Sequence, residues 1–306
     1  MSVCYIFPGQ GSQAVGMGKD LYDNNPSARA VFDEVDNALD GIRHPLSGIR
    51  KLSDIIFNGP LEELTLTANV QPAIFAVSMA MLRAWENMNG YQMPDAGCRF
   101  VAGHSLGEYT ALCAAGAISI SDTAKLLRLR GNAMQAAVPV GVGMVSVIMG
   151  LEFEKVLEIC KAADCEIAND NGANQFVISG LKETVERAME LAKEVGAKRA
   201  MTLPLSAPVH CKLQEPTATV MRQALAGMHI QPPTVPLISN KTAMPMTDAA
   251  EIKEALVYQI THGVRWRESV LNMPALGITE TIEVGPGNVL TGLVQRIEPN
   301  LIATKL

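Results

Sequence analysis

The stretch FVAGHSLGEYTALCAAGAI, residues 100–118, decides how this chain is read. Arg99 to Ala102 has the character of a short buried strand, and the alanine-rich segment from Glu108 to Ala115 begins a helix. Between them Gly103-His104-Ser105-Leu106-Gly107 matches G-x-S-x-G, in the strand-to-helix context that gives the pattern chemical meaning. The glycines permit a turn tight enough to lift the serine hydroxyl clear of the backbone. The following amide, that of Leu106, then lies at a helix N-terminus, where unpaired N–H groups and the helix dipole favour an oxyanion. Ser105 is thus a candidate nucleophile; the alternative is a serine that only caps a helix in a glycine-rich turn.

Outward from this turn, strand and helix signals alternate, which favours an α/β fold with a largely parallel sheet. Val3 to Phe7 reads as a strand ending in a glycine-rich loop, and Gln71 to Met88 as a helix with Pro72 in its first turn. Ser121 is a plausible cap for a further helix. From about residue 143 the order becomes β-α-β-β-α-β, the ferredoxin-like unit. Its members are Met144–Met149, Glu152–Ala163, Glu166–Ala168, Gln175–Ser179, Lys182–Val195 and Ala200–Leu205. The expected organisation is a large α/β domain from residues 1–130 and 205–306, carrying a mainly parallel sheet and the nucleophile elbow. A ferredoxin-like small domain, residues 131–204, is inserted into it.

At 306 residues the chain can bury a large core, and 48% hydrophobic with 18% charged residues describes a globular protein. A net charge of −6 argues against nucleic acid. The N-terminus lacks a signal-peptide pattern, and every apolar run stops well short of the roughly 20 residues of a membrane helix. Six scattered cysteines without C-x-x-C spacing suggest reduced thiols in the cytoplasm and no zinc site.

A serine nucleophile needs a base, and there are five histidines. His104 sits within the elbow, awkwardly placed to serve its own neighbour. His44 and His229 lie in polar, proline-flanked stretches that read as surface loops. His210 follows LPLSAPVH, a strand entering a proline-containing turn at the domain junction, and is favoured; His262 is the runner-up. The loop IFPGQGSQ, residues 6–13, has Ala14 where a dinucleotide-binding G-x-G-x-x-G would need glycine. It fits better as a loop bringing its backbone and Gln10 to a neighbouring site. Arg130, in LLRLRGNAM, could hold a carboxylate through a bidentate pair. On the residues alone it reads as a solvated or salt-bridged surface arginine.

Together these segments resemble the malonyl-CoA:acyl carrier protein transacylase family, along essentially the whole chain and in motif order. FPGQGSQ, GHSLGEYTAL, LLRLRGNAMQ, SAPVHC, Ser239-Asn240, QITHGVRWRES and EVGPGNVLTGLV carry the resemblance. It implies Ser105 as nucleophile and His210 as base, without an obligatory acidic member. A main-chain carbonyl near Gln259 would orient the histidine, and the amides of Gln10 and Leu106 would form the oxyanion hole. Arg130 would pair with the free malonyl carboxylate, Asn240 would shape the site and His104 would line the pocket. Leu106 after the serine is the family's malonyl-type residue. Two positions depart from the pattern: Gly263 stands where proline is usual, implying a looser turn, and Val209 where phenylalanine is common, implying a roomier acyl pocket.

The implied reaction is ping-pong transfer of malonyl from malonyl-CoA to the phosphopantetheine thiol of acyl carrier protein, in fatty acid synthesis. No resident cofactor or metal is expected, nor a membrane or nucleic-acid partner, and a monomer is the default. The acidic carrier protein calls for a basic patch, with Lys182, Arg187, Lys193 and Lys198 as candidates. Alternatives are a serine esterase or thioesterase, and the malonyl transferase of a malonate decarboxylase. A non-catalytic relative is disfavoured by the intact serine and histidine.

Overall fold

The computed structural model describes residues 2–41 and 50–306, so the reading of His44 lies outside the described residues. The chain opens with strand β1 (Val3–Phe7) and helices α1 (Lys19–Asn24), α2 (Pro26–Leu39), α3 (Leu52–Asn58), α4 (Leu61–Thr65) and α5 (Thr67–Asn89). β2 (Cys98–Gly103), α6 (Leu106–Ala114) and α7 (Ile120–Ala137) follow. The middle of the chain forms β3 (Gly143–Met149), α8 (Phe153–Ala163), β4 (Glu166–Asp170), β5 (Gln175–Leu181), α9 (Lys182–Glu194) and β6 (Arg199–Thr202). The last part adds α10 (Glu215–Ala226), β7 (Leu237–Ile238), β8 (Pro245–Met246), α11 (Ala249–Thr261), α12 (Trp266–Asn272), β9 (Glu280–Glu283), α13 (Val289–Ile297) and β10 (Ile302–Lys305).

Six strands make one sheet in the order β10-β9-β1-β2-β7-β8, parallel except for the β7–β8 pair. Alternation along β1 sorts its residues into two cores. Val3, Tyr5 and Phe7 join the larger one, against α2, α5, α6, α7, α10 and α11. Cys4 and Ile6 face the other side, with Trp266, Val270, Leu290 and Leu293 from α12 and α13. A parallel sheet covered on both faces needs such nearly continuous apolar strands.

The second sheet has the order β4-β5-β3-β6 with antiparallel neighbours, the ferredoxin-like arrangement. Ile148, Phe176 and Ile178 pack under α8 and α9 in a separate core. Their neighbours of opposite parity, Val147, Met149, Gln175 and Val177, line the cleft that contains Ser105. Lys182 and Lys193, at the ends of α9, and Arg187 between them therefore belong to the layer behind the small sheet, away from the cleft. Residue 130 falls inside α7, and the first strand of the small sheet begins at Gly143.

Three local expectations are corrected. The helix expected at 71–88 starts at Thr67, which puts Pro72 beyond the first turn. That start is fixed by polar partners distant in sequence: Thr67 N–H donates to Ser206 Oγ (3.1 Å), and Asn69 Oδ1 accepts from Arg128 Nη1 (2.6 Å). The cap of α7 is Ser119, whose Oγ accepts from Asp122 N–H (3.0 Å). Ser121 lies within the helix, its hydroxyl donating to Glu34 Oε1 (2.7 Å). Around Gly263, Val264 N–H donates to Ala168 O (2.9 Å) and Asp170 N–H to Val264 O (3.1 Å), tying this turn to β4 rather than loosening it. A Cβ at residue 263 would lie 2.5 Å from Ile167 O, so glycine permits the close approach.

Candidate active site

The C-terminal ends of β1 and β2 lie side by side, with Phe7 paired to Gly103, so their following loops meet at one edge of the sheet. That edge is where parallel α/β sheets build sites. A Cβ on Gly107 would lie 2.1 Å from Phe7 O, and one on Gly103 would lie 2.0 Å from Gly107 O. Only glycines allow α6 to start this close to the strand ends. Ser105 is held between them at φ 56° and ψ −108°. His210 also has a positive φ, 52°. Such strained backbone persists only where surrounding contacts over-determine it, and it concentrates at functional sites.

Those contacts bring together residues from five segments of the chain. Ser105 Oγ donates to His210 Nε2 at 2.8 Å, and His210 Nδ1–H donates to the main-chain carbonyl of Gln259 at 2.5 Å. The base is thus oriented by a carbonyl rather than a carboxylate. Asn240 Oδ1 accepts from Ser105 N–H (2.9 Å), while its Nδ2 donates to Gly103 O (2.7 Å). The amide side chain therefore clamps both ends of the elbow. Leu106, first residue of α6, has no helical partner for its N–H.

Arg130 corrects the residue-only reading: it is 1% exposed, deep in the site rather than at the surface. Its Nη1 donates to Gln71 Oε1 (2.7 Å), and Nη2 donates to Ser105 Oγ (3.0 Å) and Gln259 Oε1 (3.1 Å). Its Nε has no hydrogen-bond partner among the described residues. Tyr109 lies under the guanidinium, 5.7 Å from ring centroid to Cζ. Arg128, two residues earlier, turns to Asn69 instead.

The cleft over these groups encloses about 320 Å³. Gln10, His104 and Ser105 line it from the large sheet's side, Val147 and Val177 from the small sheet, and Val289 from the start of α13. Val209 also lines it, buried against Met134, Val145 and Val177. His104 Nε2–H donates to Asn171 Oδ1 (3.0 Å), and its ring rests on Trp266 with centroids 5.7 Å apart. The runner-up His262 is exposed, stacked on Tyr258 at 3.7 Å, and His229 is exposed beside Gln231; neither meets Ser105.

Burial, then the nearby Arg130 charge, then His104, pushes the His210 imidazole down to about 3, against the opposing pull of the Gln259 carbonyl. It is therefore neutral, with a free Nε2 lone pair, across the physiological range. Burial likewise lowers His104. Burial lowers Arg130 too, opposed by Tyr109 and Glu108.

Residue reasoning missed three members of this network: Gln71, Asn171 and Glu108. Gln71 and Glu108 are fully buried polar side chains within largely apolar helices, which was the available signal. Glu108 Oε1 accepts from Asn240 N–H (2.8 Å) and Oε2 from Gln259 Nε2. Burial raises its carboxyl to about 7 despite those hydrogen bonds and the Arg130 charge.

An elbow serine, a carbonyl-oriented histidine and a buried arginine make a site for the transfer of an acyl group that itself carries a carboxylate. The acyl transferase domain family matches residues 4–298. The malonyl CoA-acyl carrier protein transacylase of Bacillus subtilis is 44% identical over 98% of this chain and 91% of its own. The crystal structure of an acyl-carrier-protein S-malonyltransferase from Bartonella henselae superposes with a TM-score of 0.93 at 50% identity, covering 100% of this chain and 95% of that one. A malonyl-transacylase solved in complex with a type II polyketide synthase acyl-carrier protein gives 0.92 at 38% identity, covering 100% and 96%. The chain belongs to the acyl transferase family of which these malonyl transacylases are members.

Proposed function

We propose that the protein transfers a malonyl group from malonyl-CoA to the phosphopantetheine thiol of an acyl carrier protein, through a malonyl ester on Ser105, supplying extender units for fatty acid synthesis. The observation that carries this reading is Arg130, a buried guanidinium 3.0 Å from the nucleophilic oxygen. A malonyl group esterified at that oxygen carries a free carboxylate two carbons away, within reach of the fork. An acetyl group would leave the arginine unpaired, which is how a buried polar group rejects a substrate lacking its partner.

In the first half-reaction the Ser105 hydroxyl attacks the thioester carbonyl while neutral His210 takes its proton at Nε2. The Gln259 carbonyl, already bonded to Nδ1–H, stabilises the imidazolium that forms. The amides of Gln10 and Leu106 receive the developing oxyanion, each donor worth about 3 kcal/mol. Collapse expels CoA, whose sulfur takes the proton from His210. In the second half-reaction the carrier thiol attacks the ester, His210 again accepts and returns the proton, and Ser105 is regenerated. This is ping-pong chemistry.

The chemistry calls for no metal and no resident cofactor, since malonyl-CoA is a substrate and the carrier brings its own prosthetic thiol. His104 and Asn240 serve binding and shaping roles, and the apolar wall of Val147, Val177 and Val289 disfavours ordered water next to the ester. The division into an acyltransferase body (1–130 and 205–306) and an inserted ferredoxin-like unit (131–204) belongs to the same reading. The separate core under α8 and α9 supports it. A monomer in the cytoplasm is consistent with one chain supplying every named residue, and among the described residues no helix is long and apolar enough to cross a membrane.

The test compares CoA release from malonyl-CoA with and without holo acyl carrier protein. Release of one equivalent per enzyme without carrier, and sustained turnover with it, is expected. Sustained release into water alone would make the protein a hydrolase.

A further inference from the structure

Glu108 occupies the third position of α6, three residues after Ser105, the S-x-x-E spacing of a capping box. Its carboxylate does not fold back to the Ser105 N–H, which Asn240 Oδ1 already holds. It points into the site, fully buried, and its two oxygens take different partners. Oε1 accepts from the Asn240 backbone (2.8 Å), and Oε2 accepts from the Gln259 side-chain amide.

The second contact dictates an orientation. In its ionised form, which prevails above about pH 7, the carboxylate only accepts hydrogen bonds, so it admits only the NH₂ end of Gln259. That end also donates to Ser105 O (3.3 Å). The oxygen end of the amide is thereby turned toward Arg130, where Oε1 accepts from Nη2 (3.1 Å). A flipped amide would present its NH₂ to a guanidinium that can only donate. The main chain of Gln259 meanwhile holds His210, independently of which way its side chain is turned.

We infer that Glu108 is a positioning residue for substrate selection: it fixes the amide of Gln259 so that the guanidinium of Arg130 is held ready for the acyl carboxylate. The inference rests on the malonyl reading above and deepens it. It separates two functions of one residue, since the Gln259 backbone serves the base and its side chain serves the arginine.

Glu108→Gln, compared with wild type at pH 8.5 where the carboxyl is ionised, tests it with almost no change of shape. The substituted side chain can still accept from Asn240 N–H through its amide oxygen, which leaves the clamp on Ser105 in place. Its NH₂ then faces Gln259, turns that amide over, and sets NH₂ against Arg130. The ratio of kcat/KM for malonyl-CoA over acetyl-CoA is expected to fall about ten- to a hundredfold, the equivalent of one hydrogen bond to a charged group. The loss should lie mainly in malonyl KM. Labelling of Ser105 by an uncharged fluorophosphonate, which carries no carboxylate for the arginine to hold, should fall far less than malonyl transfer. Glu108→Asp, still acceptor-only, should keep a ratio closer to wild type. In a Gln259→Leu background, Glu108→Gln should change the ratio by no more than about twofold, because the intermediary is gone.

Equal loss of malonyl transfer, acetyl transfer and labelling in Glu108→Gln would overturn the inference in favour of a purely structural role. So would an unchanged ratio, or additive effects with Gln259→Leu. A wild-type enzyme without malonyl preference would instead refute the malonyl reading, and this inference with it.

Discussion

Replacing Arg130 by alanine should convert a malonyl-selective enzyme into one that discriminates poorly. The guanidinium is 1% exposed, so a malonyl carboxylate paired with it is withdrawn from water. Removing one partner of a buried ion pair costs about 3–5 kcal/mol. At about 1.4 kcal/mol per decade, this is roughly a hundred- to several-thousandfold loss in kcat/KM for malonyl-CoA. The bond from Nη2 to Ser105 Oγ (3.0 Å) is lost for every donor, so its effect cancels in a ratio of substrates. Acetyl-CoA loses no carboxylate partner and should change far less. The assay is transfer to holo acyl carrier protein from each donor at matched carrier concentration, with kcat and KM resolved. Arg130→Lys, which keeps the charge without the planar fork, should fall between. A malonyl-to-acetyl ratio within about threefold of wild type in Arg130→Ala would refute the clamp, the loss being far smaller than a buried pair requires.

Two further outcomes follow from the elbow and the base. Gly107→Ala should destabilise the fold by about 1–3 kcal/mol and abolish labelling of Ser105, because the new Cβ would sit 2.1 Å from Phe7 O; thermal melting and labelling measured on the same sample check both, and a variant normal in each would show that the close approach is not needed. His210, held down to about 3, stays unprotonated far below the ordinary imidazole value, so fluorophosphonate labelling should run flat from pH 8 to pH 5. An inflection near 6.5 would mean an ordinary, solvated histidine. The sign for stability is the same: the unfolded histidine takes up a proton below 6.5 that the folded one refuses, so this group lowers stability as pH falls through that window.

The parts of the site that could be read in the sequence are those carried by local pattern. The elbow around Ser105 declares itself because strand, glycines and helix are contiguous, and the small sheet because six elements occur in order within about sixty residues, from Gly143 to Thr202. His210 and Arg130 needed motif order. On its own terms Arg130 looks like any arginine on a helix, and its burial comes from Gln71 and Gln259, supplied by α5 and α11. Glu108 was hidden for the same reason. Its partners Asn240 and Gln259 lie 132 and 151 residues away, and no periodicity within α6 shows what a buried carboxylate there is facing. Ser119 rather than Ser121 caps α7 because the helix begins at Ile120, a shift too small for pattern to resolve.

Intact-mass analysis after mixing with malonyl-CoA tests the central claim most directly. Wild type should gain one malonyl group, lost again on addition of holo acyl carrier protein as the carrier gains it, and Ser105→Ala should gain none. A malonyl adduct on Ser105→Ala, or none on wild type while the carrier is still malonylated, would contradict the covalent serine mechanism.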